Sequence, residues 1–188
     1  MSYNIDRINC DIVDQIQYYL NQLDLRVSNL EKINEIASSP KISVPYGLMQ
    51  IKETFGDPSK DPESYEKENI VSLQIPFSMP LSWDINVKTN KIKCHKLIKP
   101  ILSDIFKIIY KTNKNNELIK NYGGCYCHRA KSTNPKELSI HSFGTAIDLN
   151  IGMIQPVELI NLFTSYGFEW GGNWKKPDTM HFQYCTGY

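Results

Sequence analysis

The sequence predicts an α+β domain over residues 39–188, preceded by a long helix over residues 1–38. Three observations predict it. A stripe of Ile5, Ile8, Ile12, Ile16, Tyr19, Leu23, Val27 and Leu30 recurs every three or four residues, the spacing of one helical face. Short runs at Ile70 to Ile75, Trp83 to Val87, Ala146 to Asn150 and His181 to Tyr184 have the length and alternation of strands. Two further helical patterns, His95 to Lys111 and Pro156 to Tyr166, lie among those strands. With 188 residues and 41% apolar content, the chain is long enough to bury a real core.

The elements follow in order. In the first helix polar residues fill the gaps of a near-heptad stripe, and Ser38-Ser39-Pro40 closes it. Such a helix either self-associates or packs on its own domain. Residues 38–69 read as irregular: prolines and glycines punctuate them, the charged run Lys60 to Glu68 lies between, and Gly47 to Phe55 holds one short helix. Ile70 to Ile75 starts a strand that Pro76 and Pro80 limit. Lys88 to Lys99 is the densest basic cluster and reads as a solvated surface. His95 to Lys111 carries apolar residues at 97, 98, 101, 102, 105, 108 and 109, which is helical spacing.

Tyr122 to Arg129 is a strand opened by Gly123-Gly124. In Ala146 to Asn150 alternation puts Ala146, Asp148 and Asn150 on one face and turns Ile147 and Leu149 to the core. Pro156 suits the first turn of the next helix and Gly167 its C-terminal cap. Trp170 to Trp174 is a loop, and His181 to Tyr184 is the last strand.

Composition narrows the function. A formal net charge of +1 gives no general affinity for nucleic acid. Met1 to Leu20 contains Asp6, Arg7, Asp11 and Asp14 and no apolar h-region, and no run reaches the length of a membrane span. The expectation is synthesis in the cytoplasm, no membrane insertion, and action beyond the membrane only after release by another factor. The 5 cysteines are odd in number and irregular in spacing, against a disulfide framework. Cys125 and Cys127 read as two small buried thiols.

The chemistry lies near the C-terminal end. Ser139-Ile-His141-Ser-Phe-Gly144-Thr-Ala146-Ile-Asp148 is followed by Asp178-Thr-Met-His181-Phe-Gln183. His141, Asp148 and His181 form a metal triad in residue type, with a position left for water. Asp148 lies between Ile147 and Leu149, and a carboxylate buried there needs a cation or several donors. Gly144 permits the turn that brings His141 to Asp148. Asp178, three residues before His181, can act as a general base without ligating. Arg129 can hold a substrate carboxylate or a developing oxyanion. Trp170 or Trp174 lines the groove or packs in the core, and His95 and His128 are structural or surface residues.

These residues resemble the zinc D-Ala-D-Ala carboxypeptidase and L-alanyl-D-glutamate endopeptidase superfamily, the VanY-like peptidases and phage endolysin-type endopeptidases. The family pattern Ser-x-His-x-x-Gly-x-Ala-x-Asp is matched from Ser139 to Asp148, and an acidic residue three before a second His is matched by Asp178 and His181. The resemblance covers about residues 44 to 184. It implies a Hedgehog/DD-peptidase-like domain with a central antiparallel sheet and flanking helices. It implies one zinc ion on His141, Asp148 and His181, Asp178 as catalytic base, Arg129 as electrostatic stabiliser, and Ser139 and Gly144 as structural parts of the motif. Carboxypeptidase members usually carry Glu where this chain has Asp178. With the Gly167-Phe-Glu-Trp-Gly-Gly-Asn-Trp174 loop and the His-Phe-Gln ending, that points to the L-Ala–D-Glu bond of peptidoglycan stem peptides. D-Ala-D-Ala carboxypeptidase or dipeptidase activity, and a wall-degrading component of a phage or secretion assembly with a homo-oligomerising N-terminal helix, stay open beside it.

Overall fold

The computed structural model describes residues 15–20, 42–112, 114–132 and 134–188. The chain divides into two compact units, Met1–Ser38 and Ser39–Tyr188. In the first, residues 15–20 are helical, with Ile16, Tyr18, Tyr19 and Leu20 exposed. The rest of the helix expected over residues 1–38 lies outside the described residues. No helix among the described residues is long and apolar enough to cross a membrane.

The second unit is α+β. Helices α1 (Gly47–Phe55) and α2 (Pro62–Asn69) lead into strands β1 (Ile70–Leu81) and β2 (Asp84–His95). Helices α3 (Lys99–Lys111) and α4 (Asn115–Leu118) follow, then β3 (Tyr122–Gly124), β4 (Ala146–Leu149), α5 (Val157–Ser165), β5 (Glu169–Trp170) and β6 (His181–Gln183). The strands form one six-stranded sheet in the order β2-β1-β3-β4-β6-β5. Every pairing is antiparallel except β1 with β3, which meet in parallel at Leu81 and Tyr122. The sheet is therefore mixed at that one junction.

Several segments differ from the expectations above. The charged run is helix α2, not loop. Asp61 accepts the Ser64 N–H at 3.1 Å as N-cap, and Pro62 occupies the first turn, where its missing N–H costs nothing. β1 continues through Pro76, which lies inside a register shift between Gln74 and Met79, and through Pro80, which borders a second shift between Pro80 and Leu81. The Lys88-to-His95 segment is the second half of β2, with Ile92 and Cys94 buried and Lys91 and Lys93 exposed. Helix α3 starts at Lys99, with Pro100 in its first turn. β3 stops at Gly124, whose φ of 125° takes the backbone out of the strand region.

The core ties the helices to the strands that carry the chemistry. Phe106 of α3, Phe163 of α5 and Phe182 of β6 stack in one cluster, with the Phe163 and Phe182 rings 4.7 Å apart. Fully burying such a side chain contributes about 1.5–3 kcal/mol. Alternation along β6 then decides the site. Phe182 points into the core, so His181 and Gln183 share the other face.

His95, at the end of β2, is a buried structural histidine. Its Nε2–H donates to the Phe55 carbonyl at 3.1 Å, and its Nδ1 accepts the Leu97 N–H at 3.2 Å. Burial among Phe55 and Tyr65 lowers its pKa from 6.5 to about 4, against the upward pull of the Phe55 bond. Between those values the unfolded chain binds a proton that the folded chain refuses. Stability is therefore complete above pH 6.5 and falls as pH drops towards 4. The expected loss is about 3 kcal/mol. Urea midpoints of the chelator-treated protein between pH 7.5 and 4.5 test this; His95→Gln should flatten the slope, and an unchanged slope would refute the assignment.

Candidate metal centre

His141 sits in the single turn of 3₁₀ helix at Ile140–Phe143, between two devices that fix it. Ser139 caps the turn, its hydroxyl accepting the His141 N–H at 3.3 Å. Gly144 ends it in the left-handed region at φ 68°. A Cβ there would lie 2.6 Å from the Ile70 side chain and 2.9 Å from the His95 backbone nitrogen, so only glycine lets the turn press against the end of β2. The Ser142 hydroxyl donates to the Arg129 carbonyl and accepts the Arg129 N–H, each at 2.9 Å, which fixes the backbone of Arg129 beside the turn.

Asp148 and His181 meet across the β4–β6 ladder, where they are direct partners. Ladder bonds join Tyr184 N–H to Thr145 O and Leu149 N–H to Met180 O. The alternation of such bonds makes Asp148 and His181 a non-hydrogen-bonded pair, the kind in which facing side chains lie closest. On the other flank β3 offers Gly123 and Gly124. A Cβ on Gly123 would come within 2.1 Å of the Ile151 side chain and 3.0 Å of the Asp148 Cβ, so the glycine lets β3 lie close against both residues. Asn150 serves structure instead, accepting the Lys120 N–H and donating to the Leu118 carbonyl.

The three side chains converge. His141 Nε2 lies 3.2 Å from His181 Nδ1 and 3.2 Å from Asp148 Oδ2, and His181 Nδ1 lies 3.0 Å from Asp148 Oδ1. Their outer partners decide where the ring protons sit. His141 Nδ1 is 2.7 Å from the Cys125 carbonyl, an acceptor only, so Nδ1 carries the proton. His181 Nε2 is 3.2 Å from Gln183 Oε1, and that oxygen too accepts only. In the neutral rings the proton-free nitrogens are then His141 Nε2 and His181 Nδ1. These face each other and a carboxylate, three lone-pair donors with no proton among them.

A metal ion fits that arrangement. Donors held at about 2.0–2.1 Å around a tetrahedral ion are about 3.3 Å apart, close to the separations here. Each imidazole offers a bare nitrogen inward and a hydrogen bond outward, the usual state of a metal-bound histidine. The three residues are the group among the described residues that could hold a metal ion. Burial pushes the Asp148 carboxyl up, but when the metal-free rings are protonated, the hydrogen bonds and charge of His141 and His181 outweigh it and hold the group well below the usual carboxylate range. It thus stays an anion, as a ligand must.

A family model described as D-alanyl-D-alanine carboxypeptidase, of the M15 zinc peptidases, matches residues 132–184. Over residues 132–184 the chain is similar to the VanY-like zinc peptidase superfamily. The match is well under half of the chain, yet it contains His141, Asp148, Asp178 and His181; Arg129 falls just before it. That similarity supports, at family level, a zinc peptidase acting on peptidoglycan. No curated protein and no solved structure matches the chain.

The candidate metal centre opens into a cleft of about 400 Å³ lined by His141, Asp148, His181, Asp178, Arg129 and Trp174, among others. All the site residues expected from the sequence therefore border one space. Asp178 reaches it because the preceding loop folds tightly. Its N–H donates to the Gly171 carbonyl at 2.9 Å, and a Cβ on Gly171 would come within 2.6 Å of the Asp178 carbonyl oxygen. Trp170 and Trp174 divide the two roles left open above. Trp170 packs against the core and its Nε1–H donates to the Thr179 carbonyl at 2.8 Å, bracing the Asp178 loop. Trp174 lines the cleft, its ring 5.3 Å from that of His181.

Cys125 is buried as expected, but Cys127 is exposed, because the chain leaves the sheet after Gly124 and strand alternation no longer applies. His128 is on the surface. Sequence reasoning missed three lysines of the cleft, Lys131, Lys175 and Lys176, and also Gln183 and Tyr188. Lys131 is already engaged, 2.8 Å from Glu137 and 3.3 Å above the Tyr188 ring. Strand alternation could have found Gln183, two residues after His181 and hence on its face.

Proposed function

We propose that the protein is a zinc-dependent peptidoglycan hydrolase that cuts the stem peptide between L-Ala and D-Glu. The observation that carries this reading is the meeting of three lone-pair donors in a cleft that Asp178 and Arg129 also line. Zinc bound there supplies Lewis-acid polarisation of the scissile carbonyl and an acidified water. Asp178 takes the proton of the attacking water and returns it to the leaving nitrogen. Arg129 stabilises the oxygen that gains negative charge, or grips a carboxylate of the substrate. The cationic side chains Arg129, Lys175 and Lys176 of the cleft complement a peptide bearing the D-Glu carboxylate.

The choice of bond rests on Asp178 in place of Glu and on the endolysin-like loop at 167–174. The description of the matching family favours a second reading, release of terminal D-Ala by the same centre. We place the action at the cell wall, reached after release by another factor. Digestion of chemically defined stem peptides with the zinc-loaded protein, followed by mass spectrometry, separates the readings. Free L-Ala beside a D-Glu-containing remainder supports the endopeptidase. Terminal D-Ala would move the protein to the carboxypeptidase branch, and an intact substrate would reject both.

A further inference from the structure

Gln183 and Glu169 do something the catalytic scheme does not use. Gln183 is almost wholly buried and lies on the His181 face of β6. Its amide nitrogen donates to Glu169 Oε2 at 2.8 Å and to the Cys185 carbonyl at 3.4 Å. Both are acceptors only, so the amide cannot flip without setting oxygen against oxygen. Its Oε1 is thereby fixed towards His181 Nε2, at 3.2 Å. A ring nitrogen facing a fixed acceptor carries the proton, and the other nitrogen, Nδ1, is left bare beside Asp148 and His141.

We infer that Glu169 and Gln183 are positioning residues that set the tautomer of His181, so that Nδ1 is the nitrogen offered to a metal ion. The relay runs from the Glu169 carboxylate through the Gln183 amide to the Nε2 proton. β5 and β6 hold its first two members in register, since Glu169 and Gln183 are direct partners across that pair. The carboxylate orients the amide, and the amide orients the ring. Without the carboxylate, the amide can turn its nitrogen to His181 and draw the ring proton to Nδ1, which blocks the metal. This rests on the metal-centre reading given above.

The test is zinc affinity by chelator competition, together with the visible spectrum of the cobalt(II) form, in the full chain. Loss of such an outer partner typically weakens metal binding about 10–100-fold. Gln183→Met, which keeps the volume and removes the acceptor, should show that loss and an altered cobalt spectrum. Glu169→Gln should weaken binding less. The exchange Glu169→Gln with Gln183→Glu rebuilds the chain with donor and acceptor reversed between its first two members, and should recover most of the affinity. Wild-type affinity and spectrum in Gln183→Met would overturn the relay. So would failure of the exchange to recover, in a protein that melts like the wild type, because residue 183 would then act through packing alone. A wild-type chain that binds neither zinc nor cobalt would sink the metal-centre reading itself, a separate result.

Discussion

Replacing Asp178 with asparagine is expected to slow amide hydrolysis by about 10²–10⁴-fold, the usual contribution of a positioned general base, while zinc stays bound. The separation of the two effects follows from position. Asp178 lines the cleft but is not one of the three side chains whose donor atoms converge. The amide keeps the size of the carboxylate and leaves the backbone bonds of Asp178 to Gly171 and His181 intact. What it removes is the capacity to accept a proton from water. The measurement is turnover of a stem peptide at saturating substrate, with metal content determined on the same sample. Activity within a few fold of wild type would remove Asp178 from the mechanism. Loss of zinc along with activity would make it a ligand instead.

Asp148→Asn should have the opposite pattern, with metal binding abolished first and activity lost as a consequence. The carboxylate is the only anion of the three converging groups, and it faces both imidazoles at 3.0–3.2 Å. A neutral amide is a weak donor to a cation. Its NH₂ can also donate into a bare ring nitrogen and satisfy the site without metal. The affinity lost should exceed the roughly 10–100-fold that an outer hydrogen-bonding partner supplies. Thermal unfolding with and without zinc reads this directly. A ligand at 100 times its dissociation constant stabilises the native state by about 2.7 kcal/mol, so the wild type should melt higher with zinc. The variant should melt as the metal-free wild type does, or above it, and should not respond to zinc. A zinc-dependent rise in the variant would refute the assignment of Asp148.

The centre was legible because its residues are of uncommon type at fixed spacing, and because strand alternation assigns faces. His141, Asp148, Asp178 and His181 each follow from local pattern, and the resemblance joined them. The less legible parts have physical reasons. In α2 only Tyr65 is buried, so a helix made by its cap and its first-turn proline shows no apolar period. In β2 both faces of Asp84 to Lys88 are exposed, and alternation reappears only at Ile92 and Cys94. Pro76 and Pro80 look like strand breakers until the register shift beside them is known. Lys131 meets Tyr188 and Glu137 only after the chain has folded, and no local spacing announces that. Gln183 did follow the period of its strand; its significance depended on Glu169, which the β5–β6 pairing brings opposite.

The pairing of Asp148 with His181 has a consequence for how the sheet is proofread. A slip of one residue between β4 and β6 would reverse the faces, setting the Phe182 ring where the imidazole belongs and His181 among the core phenylalanines. Such a misaligned sheet would hold no ion. A metal ion held by His141, Asp148 and His181 would therefore stabilise one alignment of these two short strands and none of its neighbours. Correct assembly of the sheet would then be favoured by the ion itself, before any substrate is bound.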